Sequence, residues 1–182
     1  MYQSVKDLVR TAEIQQKALS ELVIEAECHE SGSNRKEVWQ RMRSNLLTMR
    51  AAIKQGENEL GVRSKTGLTG GEAIKLKKYR AERKTLSGDV MMAAVENAIA
   101  TNAAMGVICA TPTAGSSGTL PGALFMLEKR LGLSEDQMIR FLFTAGGLGL
   151  IIANHAGIAG ATGGCQEEVG SASAMAAAAA VE

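Results

Sequence analysis

Apolar residues recur at spacings of three and four over most of the chain, and almost nowhere do they alternate as a half-buried strand would. Val5, Leu8, Val9 and Ala12, followed by Leu19, Leu22, Val23 and Ala26, describe one amphipathic helix or two. Asn34 with Glu37 three residues on has the spacing of a reciprocal cap. The stripe behind it, Val38, Met42, Leu46, Met49 and Ile53, predicts the longest helix. Thr69 with Glu72 and Ser134 with Gln137 repeat that spacing, so helices are expected to begin at both places. Residues 89–105 read as a helix through Val90, Ala93, Ala94, Ala98 and Ile99, and residues 122–131 as another behind Pro121, a residue suited to a first helical turn. A last helix is expected from about Gln166 through Ala172, Met175 and Ala176. It reaches Glu182 without Gly, Pro or another stop signal, and so looks cut within a helix. The fold class that follows is mainly α: a compact helical domain with glycine-rich loops between buried helices.

Composition narrows this further. The chain has 182 residues with 46% hydrophobic positions, a length that fits one ordinary domain or two small ones and is enough to bury a real core. With 20 basic and 19 acidic side chains it lacks a one-signed surface field, so neither nucleic acid nor an anionic membrane is an expected partner. Cys28, Cys109 and Cys165 form no short-spaced pair, which excludes a zinc module or disulfide scaffold and suits a reducing cytoplasm. The N-terminus has periodic charge and no secretory pattern. Charge is unevenly spread: 17 of the 20 basic residues lie at or before Lys84, and 13 of the 19 acids at or before Glu96. A charged helical part, about 1–96, is thus followed by an uncharged part rich in Gly and Ala, about 97–182. The apolar run from Phe141 meets Asn154 and His155, and the stretch before it is broken by Thr111, Pro112, Ser116 and Pro121. Buried core is therefore the better reading than a membrane span.

Three loops concentrate the residues with chemical potential. Residues 64–71, SKTGLTGG, lead into the helix expected after Thr69 and could hold an anion. Residues 109–122, CATPTAGSSGTLPG, combine glycines that admit a ligand to the backbone, hydroxyl donors and a following helix N-terminus; a carboxylate or phosphate would fit, and a tight turn between buried helices is the plainer alternative. No GxxxxGK[ST] or GxGxxG pattern supports a nucleotide. Residues 154–170, NHAGIAGATGGCQEEVG, place Cys165 just before a helix, where the positive end of the dipole favours a thiolate; a small buried hydrophobe is the alternative. His155 is either a base or a core histidine, and His29 sits in a charged turn at the surface. The run Lys75, Lys77, Lys78, Arg80, Arg83 and Lys84 reads as a solvated helix face.

The segments GVRSKTGLTGGEAIKLKKY, KTLSGDVMMAAVENAIATNAAMGVICATPTAGSSGTLPG and GIAGATGGCQEEVGSASAMAAAAA together resemble the alpha subunit of the bacterial iron-sulfur-dependent L-serine dehydratases, also called L-serine deaminases or ammonia-lyases. The resemblance covers nearly the whole of residues 1–182 and implies a mainly helical lyase subunit. With a beta subunit, it would convert L-serine to pyruvate and ammonia using a [4Fe-4S] cluster whose open iron acts as a Lewis acid. The family's GCQxEVG motif falls on Gly164, Cys165, Gln166, Glu168, Val169 and Gly170, which makes Cys165 the implied cluster ligand. The family's other two cluster cysteines lie beyond the matching region, and Cys28 and Cys109 are not at their positions. The resemblance thus implies an N-terminal part of the subunit that is inactive alone and does not hold the cluster stably. On top of the resemblance, Thr113, Gly115, Ser116, Ser117 and Gly118 are expected to bind the substrate carboxylate, with Lys65 or Thr66 as a second clamp; His155 stands as the candidate base on its residue type alone, since the resemblance does not make a histidine there invariant. Two alternatives stay open: a related lyase acting on L-threonine or L-cysteine, and a non-catalytic helical binding or assembly module.

Overall fold

Polar caps and left-handed glycines divide the apolar stripes into helices. A computed structural model describes residues 2–57, 62–82 and 88–182. Among these it has nine helices and no strand beyond an isolated antiparallel bridge between Arg63 and Gly70. The first apolar segment forms two helices, α1 (Val5–Gln15) and α2 (Leu19–Ser31), separated where Gln16 takes a left-handed conformation. Both reciprocal caps form as the spacing predicts. Asn34 Oδ1 accepts from the Glu37 amide at 3.0 Å ahead of α3 (Arg35–Gly56), and Ser134 Oγ accepts from the Gln137 amide at 3.3 Å ahead of α7 (Glu135–His155). Each satisfies two amides that the first helical turn leaves without intrahelical partners.

The cap expected at Thr69 does not form. Gly70 and Gly71 both have positive φ, so the backbone cannot enter a helix there, and α4 (Glu72–Glu82) starts later, with Gly71 accepting from the Lys75 amide. Thr69 instead closes a turn with Ser64, whose amide donates to the Thr69 carbonyl at 2.9 Å and whose Oγ accepts from the Thr69 amide. Helix α5 (Gly88–Ala103) buries Ala94 and Ala98, as the stripe predicts; the side chains of Val90, Ala93 and Ile99 lie outside the described ones. Arg83 and Lys84 of the basic run, with the family segment around them, also lie outside the described residues.

Helices α6 (Thr119–Leu131), α7, α8 (Gly160–Gly163) and α9 (Cys165–Val181) complete the chain. The stretch 154–170 is therefore less of a loop than the sequence suggests. Helix α7 runs through His155, a short turn leads into α8, and Gly164 at φ +79 separates α8 from α9, whose first residue is Cys165 itself.

Helix α7 is the centre of the core. Met138, Ile139, Leu142, Phe143 and Ala145 are buried against Ile24 of α2, Leu46 and Met49 of α3, Leu124 of α6 and Met175 of α9. It is long and apolar enough to cross a membrane by length and composition, and more than half of its most apolar window is buried inside the fold. A second cluster joins Leu8 and Leu22 to Leu148 and Ile151; Val5 and Val9, expected in the α1 stripe, are instead exposed. The core draws helices from both the charged and the uncharged parts of the chain.

Two polar arrangements tie sequence-distant ends together. The α2 N-terminus has no cap from its own N-cap residue, Ala18. Glu182, beyond α9, accepts from the Ser20 amide at 3.0 Å and the Ser20 hydroxyl at 2.7 Å, and also from the Thr144 hydroxyl, so its carboxylate caps α2 from the far end of the chain. Glu21 is shared by Arg35 and Arg140, and the hydrogen bond from Arg35, assisted by Arg140, holds its carboxyl below the usual carboxylate range against the opposing effect of burial.

Candidate active site

The 109–118 loop is organised by its own polar groups. The Thr111–Pro112 peptide bond is cis. The Ser116 hydroxyl donates to the Thr111 carbonyl at 2.9 Å and lies 3.1 Å from the Thr113 hydroxyl, while Asn102 of α5 donates to the Ala114 carbonyl at 3.1 Å. Ser116 and Thr113, which the resemblance puts on the substrate carboxylate, therefore spend hydrogen bonds on loop shape. Ser117 and Thr111 are different: both are buried, 2% and 5% exposed, and neither hydroxyl oxygen has a hydrogen-bond partner among the described residues. Such orphans are uncommon and costly without an external partner.

The two glycines of this loop serve close approach. A methyl group on Gly118 would lie 2.8 Å from the Val95 carbonyl oxygen, so α6 meets α5 backbone to backbone at this point. A methyl group on Gly115 would lie 2.6 Å from Glu168 Oε2. The same carboxylate abuts Gly160, at 2.7 Å by the same measure, while Glu167 lies against Gly157 and Gly163. The two glycine-rich loops thus meet at the first turn of α9, where Cys165 is exposed and Glu167 and Glu168 are partly buried. Glu167 Oε2 is buried with no partner. Glu168 belongs to the GCQxEVG motif without a role attached to it and Glu167 is its neighbour; the glycines at 157, 160 and 163, spaced by three ahead of the two carboxylates, are the readable sign of this close packing.

The other sequence candidates lie apart from this contact. Lys65 is exposed, and the Thr66 hydroxyl faces Ser64 within the 64–70 turn; among the described residues no hydrogen bond joins that turn to the 109–118 loop. His155 is exposed with Nε2 on the Gln3 carbonyl, which leaves Nδ1 as its free ring nitrogen. His29 is exposed, as expected, but it lies in the last turn of α2 and not in a loop turn, because the helix runs on to Ser31 before Gly32 ends it. Cys28 and Cys109 are half-buried against the core, and burial pushes the Cys109 thiol above its usual pKa, which favours the neutral form. No group of three His, Cys, Asp or Glu is placed to hold a metal among the described residues. A protein-bound cubane needs several thiolates at one place. The described residues therefore do not by themselves fit a [4Fe-4S] cluster, and Cys165 is the one exposed thiol beside the loops.

Two glycine-rich loops of a helical domain thus converge on a helix start bearing a thiol and two carboxylates. The chain belongs to the serine dehydratase alpha chain family, whose model matches residues 14–182. It is 50% identical, over its whole length, to a Bacillus subtilis protein named "Probable L-serine dehydratase, alpha chain", and covers 61% of that protein. A protein of the same name from Latilactobacillus sakei is 67% identical over 52% of this chain and 46% of its own length. The "L-serine dehydratase, alpha chain" of Peptoniphilus asaccharolyticus is 35% identical over 89% of this chain and 56% of its own length. The chain thus spans about half to three fifths of the length of these three relatives.

Proposed function

We propose that this chain contributes the substrate-binding part of an L-serine dehydratase, which converts L-serine to pyruvate and ammonia in the cytoplasm together with a beta chain. The observation that carries the reading is the meeting of the two glycine-rich loops at Glu168, next to Cys165, in a chain that belongs to this family. Dehydration removes the α-proton and the β-hydroxyl of serine; the resulting aminoacrylate tautomerises to an imine, and water releases pyruvate and ammonia. The part of this chain is to hold and orient the amino acid. The unpartnered Ser117 hydroxyl suits the carboxylate, because a free hydroxyl donates to an anion, and the α6 dipole adds to it, although the Thr119 amide is spent on the Ser116 carbonyl and Pro121 has none. For an iron-sulfur cluster, Cys165 is proposed as one thiolate, the others coming from outside the described residues.

The test is keto-acid formation by this chain assembled anaerobically with the beta chain and whatever further alpha-chain sequence activity requires. L-Serine is expected to be turned over faster than L-threonine or L-cysteine. No keto acid from L-serine, or a preference for either competitor, would contradict the proposal.

A further inference from the structure

The polar groups on the two sides of the Gly115–Glu168 contact are of opposite character. On the α9 side, no ion pair reaches Glu167 or Glu168 among the described residues. Carboxylates in a first helical turn are favoured by the helix dipole, which accounts for their presence there. It does not account for the buried Glu167 Oε2, which has no donor. On the loop side, Ser117 and Thr111 are more than nine-tenths buried, and each holds a hydroxyl without a partner. Two residues after Ser117, α6 begins with no side-chain cap. One side thus presents negative charge with no cation, and the other presents hydroxyls and the positive end of a helix.

An α-amino acid carries both complements on one carbon, and electrostatics decides which end goes where. A carboxylate placed against Glu168 would meet a like charge at contact distance, a penalty of about a hundredfold or more in affinity, whereas an ammonium group there gains a charge-assisted hydrogen bond. We propose that Glu168 binds the α-ammonium group of the amino-acid substrate, with the substrate carboxylate turned toward Ser117 and the start of α6. This rests on the dehydratase reading above and adds to it a polarity for the bound substrate.

The experiment is Glu168→Gln in the assembled dehydratase, read against two competitive inhibitors that each lack one charged end: L-glycerate, which has a hydroxyl in place of the ammonium, and ethanolamine, which has no carboxylate. The KM for L-serine is expected to rise about ten- to hundredfold. Inhibition by ethanolamine should weaken in parallel, and inhibition by L-glycerate should hold or strengthen. Ser117→Ala should show the converse, weakening glycerate and sparing ethanolamine. Glu168→Asp, which keeps the charge, should recover part of the loss and covers the case in which the Gln variant folds poorly. An unchanged KM in Glu168→Gln, or equal weakening of both inhibitors, overturns the inference and leaves the dehydratase reading standing, provided the unsubstituted enzyme makes pyruvate. An unsubstituted enzyme that makes none overturns both.

Discussion

Leu124→Ala should lower the unfolding free energy by about 2–5 kcal/mol, the range for removing a fully buried leucine and leaving a cavity behind. Leu124 is 0% exposed on α6, within the cluster that α7 dominates, and α6 packs against α5 and α9 as well. Collapse of surrounding atoms into the space is hindered because Met138 and Ile139 on α7, also fully buried, are fixed by their own neighbours. The consequence extends to the site, because α6 starts where the 109–118 loop ends. Urea denaturation followed by circular dichroism measures the effect, and Leu131→Ala, at an α6 position 66% exposed, is the control expected to shift stability by less than about 0.5 kcal/mol. Equal midpoints for the two variants would show that α6 is not packed as described.

The second large effect is expected from one methyl group. Gly118 has φ −85, which any residue adopts, so Gly118→Ala strains no backbone torsion. Its cost is steric: the new carbon would lie 2.8 Å from the Val95 carbonyl oxygen and 3.1 Å from the Val95 Cα, both main-chain atoms of a helix. Helices α5 and α6 must separate, at about 1–3 kcal/mol, and the buried loop with Ser117 moves with them. Gly146→Ala on α7 adds the same methyl group where nothing lies within 4 Å, and there the better helix former should stabilise by about 0.5–1 kcal/mol. Thermal unfolding of the two variants should therefore shift in opposite directions. A Gly118→Ala protein as stable as the parent would contradict the close helix crossing.

Local rules made most of the helices legible, and their failures have identifiable causes. Asn34 and Ser134 cap because residues with ordinary helical backbone follow them, whereas Thr69 has the same spacing but is followed by two glycines with positive φ, which no hydroxyl can draw into a helix. Reading 154–170 as a loop treated its glycines as punctuation, when three of them are contact surfaces for Glu167 and Glu168. Thr113 and Ser116 looked equal to Ser117 as ligand donors in sequence. Only the fold separates them, because the first two turn inward to their own loop and the third is left without a partner. The Glu182 cap on α2 joins residues far apart in the chain, and no local pattern could have announced it.

The central claim is that the 109–118 loop and the start of α9 form one site for L-serine. Titrating the isotope-labelled chain with L-serine while following backbone amide chemical shifts tests it most directly. The account predicts saturable shifts confined to residues 111–118 and 157–168. Shifts centred instead on the apolar groove of about 400 Å³ lined by Val23, Met42, Phe143 and Gly147, or no shifts at saturating L-serine, would contradict it.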